Sequence, residues 1–293
     1  MVLSLAFVAL IGGPLFGLMA APRLARLPVD FRSRQVSEGR GVYLDEDRGF
    51  KVVGPVGLRN VREVRGVPAE SQPDVAVWVV HDRFLDLDTG RQLDAIRERH
   101  ALNRTTGRSV RCCGADQDRR GALAQAFPAG TKAISYPWWD PSARQAFVAR
   151  FVREEALQGV KVYRFRVSVP PVVINRVALP AEAIGRSSSA DVELDWWYRS
   201  VTDLWVEPAT GVIVKGSQGA DQWLANGEGA RRLTVATTSL VDTPKTVAGN
   251  LELSAERRNA LIARNVWPFV LGPLIAVLLV ALDAVREAWP AKT

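Results

Sequence analysis

The stretch GVKVYRFRVSV, residues 159–169, decides the fold class. It is crowded with β-branched and aromatic residues, opens on glycine and runs into Pro170, the pattern of a strand bounded by turn formers. Upstream, DVAVWVVHD (74–82) alternates but is apolar on both faces, which predicts a strand inside a sheet rather than at its edge. LWVEP (204–208) repeats the strand composition. Three similar pentapeptides punctuate these runs: DLDTG ending at Gly90, NRTTG ending at Gly107 and EPATG ending at Gly211. Each reads as a hairpin turn whose glycine takes a positive φ. Asp88, Thr89 and Gly90 also spell the aspartic-protease triplet, but Arg91 follows and no second copy supplies the partner carboxylate. Residues 23–252 are therefore read as a mainly β, antiparallel domain.

The ends of the chain read differently. Residues 1–22 contain no charge, and neither does VWPFVLGPLIAVLLVAL at 266–282. Crossing a bilayer takes about 20 apolar residues in a helix, so both runs are expected to be transmembrane helices flanking the β domain. The first overlaps in composition with a signal peptide. With no basic residue before Leu3, and with Pro22 directly after Ala20 and Ala21, it reads as a retained anchor, and a true start upstream of Met1 stays open. LSAERRNALIARN (253–265), with Ser254 as its cap, is expected to be a juxtamembrane helix, and 283–293 a cytoplasmic tail. Two spans put both termini on one side. The expected topology is a two-pass cell-membrane protein with its central domain extracytoplasmic.

The chain carries 38 Lys plus Arg against 31 Asp plus Glu, a net charge of +7. A solvated surface accounts for that excess, and a surface drawn to anionic lipid heads is the sharper reading. Nucleic acid is not expected as a partner, since no nucleic-acid motif is present. Catalysis is not expected either. The two histidines, His81 and His100, read as surface or hairpin residues, and Glu154 and Glu155 would point to opposite faces of a strand. No spacing suits a metal, and no cofactor is implied. Cys112 and Cys113, in RCCG, leave three readings open: a vicinal disulfide, two thiols packed separately, or links between chains.

Aromatic residues carry the remaining signal. In YPWWDP (136–141), Pro137 and Pro141 lack the N–H of a ladder member, so the segment reads as a loop or edge crossing with Trp138 or Trp139 plugging the core and Asp140 capping a turn. In a strand, one member of a Trp pair faces inward and the other outward. Trp138, Trp139, Trp196, Trp197 and Arg199 are the candidate ligand-binding residues, because an outward Trp beside an Arg suits a sugar face or a lipid interface.

SYPWWDPSARQAFVARFVREEALQGVKVYRFRVSVPP, WWYRSVTDLWVEPATGVIVKGSQ and RCCG, set between two apolar ends, resemble the actinobacterial PorA family over nearly the whole chain. That resemblance implies a two-helix envelope protein concerned with envelope glycolipids, a family that includes a protein needed for lipomannan maturation, and it carries no catalytic residues over. The expected function is non-enzymatic handling of an amphipathic envelope lipid or glycolipid. A scaffold docking a membrane-bound biosynthetic enzyme or transporter is the alternative, and a channel or a hydrolase comes third.

Overall fold

The computed structural model describes residues 26–184, 190–226 and 230–288. Leu27–Leu253 forms one compact unit, and Ser254 onward belongs to another. Ten strands build the first: β1 (Arg32–Asp45), β2 (Lys51–Gly66), β3 (Val75–Asp86), β4 (Gln92–Asn103), β5 (Tyr136–Asp140), β6 (Gln145–Leu157), β7 (Val160–Pro180), β8 (Asp191–Glu207), β9 (Val212–Asn226) and β10 (Ala230–Asp242). A helix, α1 (Pro244–Ala288), follows them. Every pairing between strands is antiparallel, in the order β4-β3-β2-β1-β10-β9-β8-β7-β6-β5, a half-barrel with β4 and β5 at its edges.

Local chemistry explains the ladder. DVAVWVVHD becomes β3, one strand in from the edge, and Ala76, Val77, Trp78 and Val80 are all buried. Pro170 and Pro171 cannot donate to a neighbour, and the β7–β8 register shifts between Val169 and Val172, where they sit. The three pentapeptides share one construction. Asp86, Asn103 and Glu207 each accept, through a side-chain oxygen, the backbone N–H groups of the residues two and three positions on. Gly90, Gly107 and Gly211 close the turns at φ 72°, 70° and 73°. Asp86 is thus a turn acceptor beside the protease-like triplet.

On the face carrying Trp78, Val64, Val80 and Leu102 form one cluster with Leu27 and Ala126, while Phe165, Val167, Leu204 and Val206 form another with Leu123 and Phe127. The first turns of α1 lie against the opposite face: Val247 and Leu251 pack with Val162, Trp205, Val212 and Val214.

The expected flanking architecture is corrected. Among the described residues no helix is long and apolar enough to cross a membrane. The expected span at 1–22 and residues 289–293 of the tail lie outside the described residues. Neither 253–265 nor 266–282 is a separate element: both continue α1, which starts at Pro244 on the β unit, and Ser254 lies inside the helix rather than capping it.

Candidate functional site: the inner face and its seal

Residues 104–135 link the two edges of the sheet. After the Gly107 turn the chain doubles back on β4, where Asn103 N–H donates to Arg108 O at 2.8 Å and Val110 N–H to Ala101 O at 2.9 Å. Ser109 N–H donates to Ala122 O at 3.0 Å, Leu123 N–H to Pro137 O at 2.8 Å, and Trp139 N–H to Leu123 O at 2.7 Å. Backbone hydrogen bonding therefore passes from β4 through 108–110 and 122–123 to β5. The seal thereby pairs Ala101 and Asn103 on β4 and Pro137 and Trp139 on β5, ladder groups that an open edge would leave unpaired.

The seal reaches across the inner face. Phe127 is fully buried, stacked at 4.8 Å on Phe165 and at 5.5 Å on Trp138, and its N–H donates to Gly211 O at 3.1 Å. Gly211 is required there, since a Cβ on it would lie 2.2 Å from Phe127 O.

A buried polar cluster holds the β4 side. Arg119, 2% exposed, donates through Nη2 to Glu98 Oε1 at 3.0 Å and to Asp116 Oδ1 at 2.8 Å. His100, 0% exposed, places Nε2 3.4 Å from Glu98 Oε2 and 3.1 Å from Gln125 Nε2, and Arg62 Nη2 donates to Gln125 Oε1 at 3.2 Å. Burial favours protonation of Glu98, but His100 and Arg119 outweigh it and hold the carboxyl at about 2. Burial pushes the His100 pKa below its ordinary value, so at neutral pH its contribution is a hydrogen bond and Arg119 supplies the charge. His100 is thus a core residue, not the surface residue expected from its position in RERHAL. On the other side, Asp140 Oδ2 accepts from Tyr198 Oη at 3.0 Å and from Ser200 Oγ at 3.4 Å, while Oδ1 caps the next turn by accepting Ala143 N–H at 2.8 Å. Burial raises the Asp140 pKa despite these donors.

The candidate residues fall in three places. Trp138 stacks on Phe127 within the seal, whereas Trp139 packs with Ala122 and Ala124, its ring 5.7 Å from the Arg119 guanidinium. Trp196 is on the sealed face of β8 and donates to Gln222 Oε1 at 3.0 Å. Trp197 faces the other way, stacked at 6.1 Å on Trp223, where Arg199 pairs with Asp221 at 2.6 Å. The structure brings Trp138 and Trp139 to the seal and Trp197 and Arg199 to the outer face, and it does not join all five into one site. Cys112 and Cys113 are bonded to each other. Among the described residues no group of His, Cys, Asp and Glu could hold a metal ion.

Beyond the seal, past Tyr198 and Gln222, the inner face carries a further apolar stretch. The clusters that the seal builds take in β8 at Leu204 and Val206, and Leu194 continues the same face roughly 30 Å along the strand. Around it the register sets Val177 opposite Leu194, Leu179 opposite Val192, Trp196 opposite Leu224, and Leu224 opposite Leu233. Val177, Leu179, Val192, Trp196 and Leu233 are half-buried. The outer face of the same region carries cross-strand ion pairs, Arg176–Asp195 and Arg199–Asp221.

A family model described as Porin PorA matches residues 1–282. The chain belongs to the PorA family. Its relatives include a protein named Porin PorA from Corynebacterium amycolatum, 32% identical over 124 residues, which is 34% of this chain and 32% of that protein. Another Porin PorA, from Corynebacterium resistens, is 28% identical over 156 residues, 37% of this chain and 38% of the relative. The chain thus spans about a third of the length of each of these PorA relatives.

Proposed function

We propose that this PorA-family chain acts in the cell envelope, at a membrane and without catalysis, by holding the acyl part of an amphipathic lipid or glycolipid against the inner face of its sheet. The observation that carries this reading is the apolar stretch past the seal, where buried Leu194 and Leu224 are bordered by half-buried Val177, Leu179, Val192, Trp196 and Leu233, while the outer face of the same strands carries the Arg176–Asp195 and Arg199–Asp221 pairs beside the Trp197–Trp223 stack. A sheet buries an apolar face against something, and an acyl chain matches a long apolar strip better than a polar ligand does. The net charge of +7 favours an anionic head group. Of the candidate aromatic residues, Trp196 lies on this strip.

Lipid extraction and mass spectrometry of the purified full chain test the reading. An acyl lipid at near-stoichiometric yield, reduced by at least five-fold in Leu194→Asp, is the expected result, and a lipid-free protein overturns it.

A channel is the second reading, supported by the name of the relatives, Porin PorA. The outer face weighs against these ten strands being its wall, because a lipid-facing barrel surface is an apolar band. Here Glu38–Arg59 and Arg83–Glu63 pair across that surface. Single-channel conductance from the purified chain in a planar bilayer would favour the channel over the lipid reading.

A further inference from the structure

Cys112 and Cys113 sit between the two arms of the seal, bonded to each other and both half-exposed. We propose that this bond is a reducible latch on the seal, opened by an external dithiol. Cys113 has φ 55° and Gly114 φ 72°, and the first of these is a conformation that residues with side chains rarely adopt. It turns the Cys113 carbonyl towards β4, where Arg99 Nε and Nη2 donate to it at 3.1 and 3.0 Å. Gly114 leaves room for that guanidinium, since a Cβ there would lie 3.1 Å from Arg99 Nε.

Arg99 is the junction between the latch and the seal. Its side chain also pairs with Glu70, its N–H donates to Asp116 Oδ2 at 2.7 Å, and its carbonyl accepts Asp116 N–H at 3.2 Å and Arg119 Nη1 at 3.3 Å. Asp116 and Arg119 begin the arm that inserts Leu123, Ala126 and Phe127 into the sheet. The link from disulfide to seal therefore runs through Cys113 O, Arg99, Asp116 and Arg119, each step a hydrogen bond. Because the pair is the whole cysteine content of the chain, reduction acts at one place.

The exchange is a two-electron step. One thiolate of the dithiol attacks a cysteine sulfur and forms a mixed disulfide, and its second thiolate displaces that cysteine. The protein gains two electrons and two protons as two thiols, and the dithiol leaves as a cyclic disulfide. Without the ring, Cys113 relaxes to ordinary backbone geometry and its carbonyl leaves Arg99. The latch concerns the seal alone and stands whatever the inner face holds.

Hydrogen exchange read by mass spectrometry on the full chain tests it, comparing oxidised protein, protein reduced with dithiothreitol, and oxidised Arg99→Ala. Peptides over 108–127 are expected to exchange at least ten-fold faster after reduction and in Arg99→Ala, with the β8–β9 hairpin unchanged. Unchanged exchange over 108–127 in either sample overturns the latch. An equal rise across the hairpin also overturns it, by making the bond a general staple, as does alkylation of both cysteines before any reductant is added.

Discussion

Glu98 shows how a single buried residue contributes to the acid sensitivity of this protein. Its carboxyl is held at about 2 in the folded chain against an ordinary 4.5, so it contributes stability above the unfolded value that is lost as pH falls from about 4.5 towards 2. His100 acts in the same direction: its pKa is lowered by burial, so the unfolded chain takes up that proton first as pH drops below the ordinary 6.5. In Glu98→Gln, thermal unfolding followed across pH is expected to show a flatter acid limb. At pH 7 the same variant loses about 3 kcal/mol, because Arg119 is left buried with half of its acid partners. Two turn glycines give a second residue-level contrast. Gly90 has open space where a Cβ would go, so Gly90→Ala costs about 1–2 kcal/mol for its positive φ alone. Gly211→Ala adds a collision with Phe127 O, and denaturant titration is expected to show a loss at least twice as large. The turns were legible because the acceptor, the threonine and the glycine fall within five consecutive letters. The cluster of Glu98, His100, Arg119 and Gln125 was not, because its partners meet only when the seal folds back on β4, and no spacing along the chain announces that.

Among the elements, α1 combines a start that its sequence announces with turns that its sequence hides. Thr243 Oγ1 accepts Thr246 N–H at 3.3 Å, and Pro244 occupies the first helical position, a start signal visible as TPKT in the sequence. Gly249 and Asn250, poor helix formers, disguise the turns that follow, and the apolar spacing of Val247 and Leu251 matters only once Trp205 and Val214 are there to receive it. Thr243→Ala is expected to cost about 1 kcal/mol, read as a fall in Tm of about 2–4 °C. The strands were legible from composition. The seal was not, since 104–135 has neither period, and its order rests on short pairings to two distant edges. Phe127 is its keystone. Phe127→Ala is expected to lose about 3–5 kcal/mol, and limited proteolysis should then cut within 108–127 before any strand of the sheet.

At the scale of the whole β unit, the order of strands brings its first and last members side by side. Ser37 on β1 stands opposite Asp242 on β10, and Ser37 Oγ donates to Asp242 Oδ1 at 2.7 Å. Just past that pair Thr246 closes the fork, its hydroxyl accepting Val36 N–H at 2.8 Å and donating to Val36 O at 2.9 Å. Antiparallel neighbours whose free ends leave together are loaded in peel rather than in shear. Tension applied through the two ends of this unit would first load the Leu27–Arg104 backbone bond and the packing of Val247 and Leu251, and once these give it would part the Thr246 clasp and break the ladder one rung after another. Pulled in an optical trap, the protein should part β1 from β10 before any inner pair of strands, and Thr246→Val should lower the force of that rupture, which would make the unit a gauge of pull on the chain at either side of it.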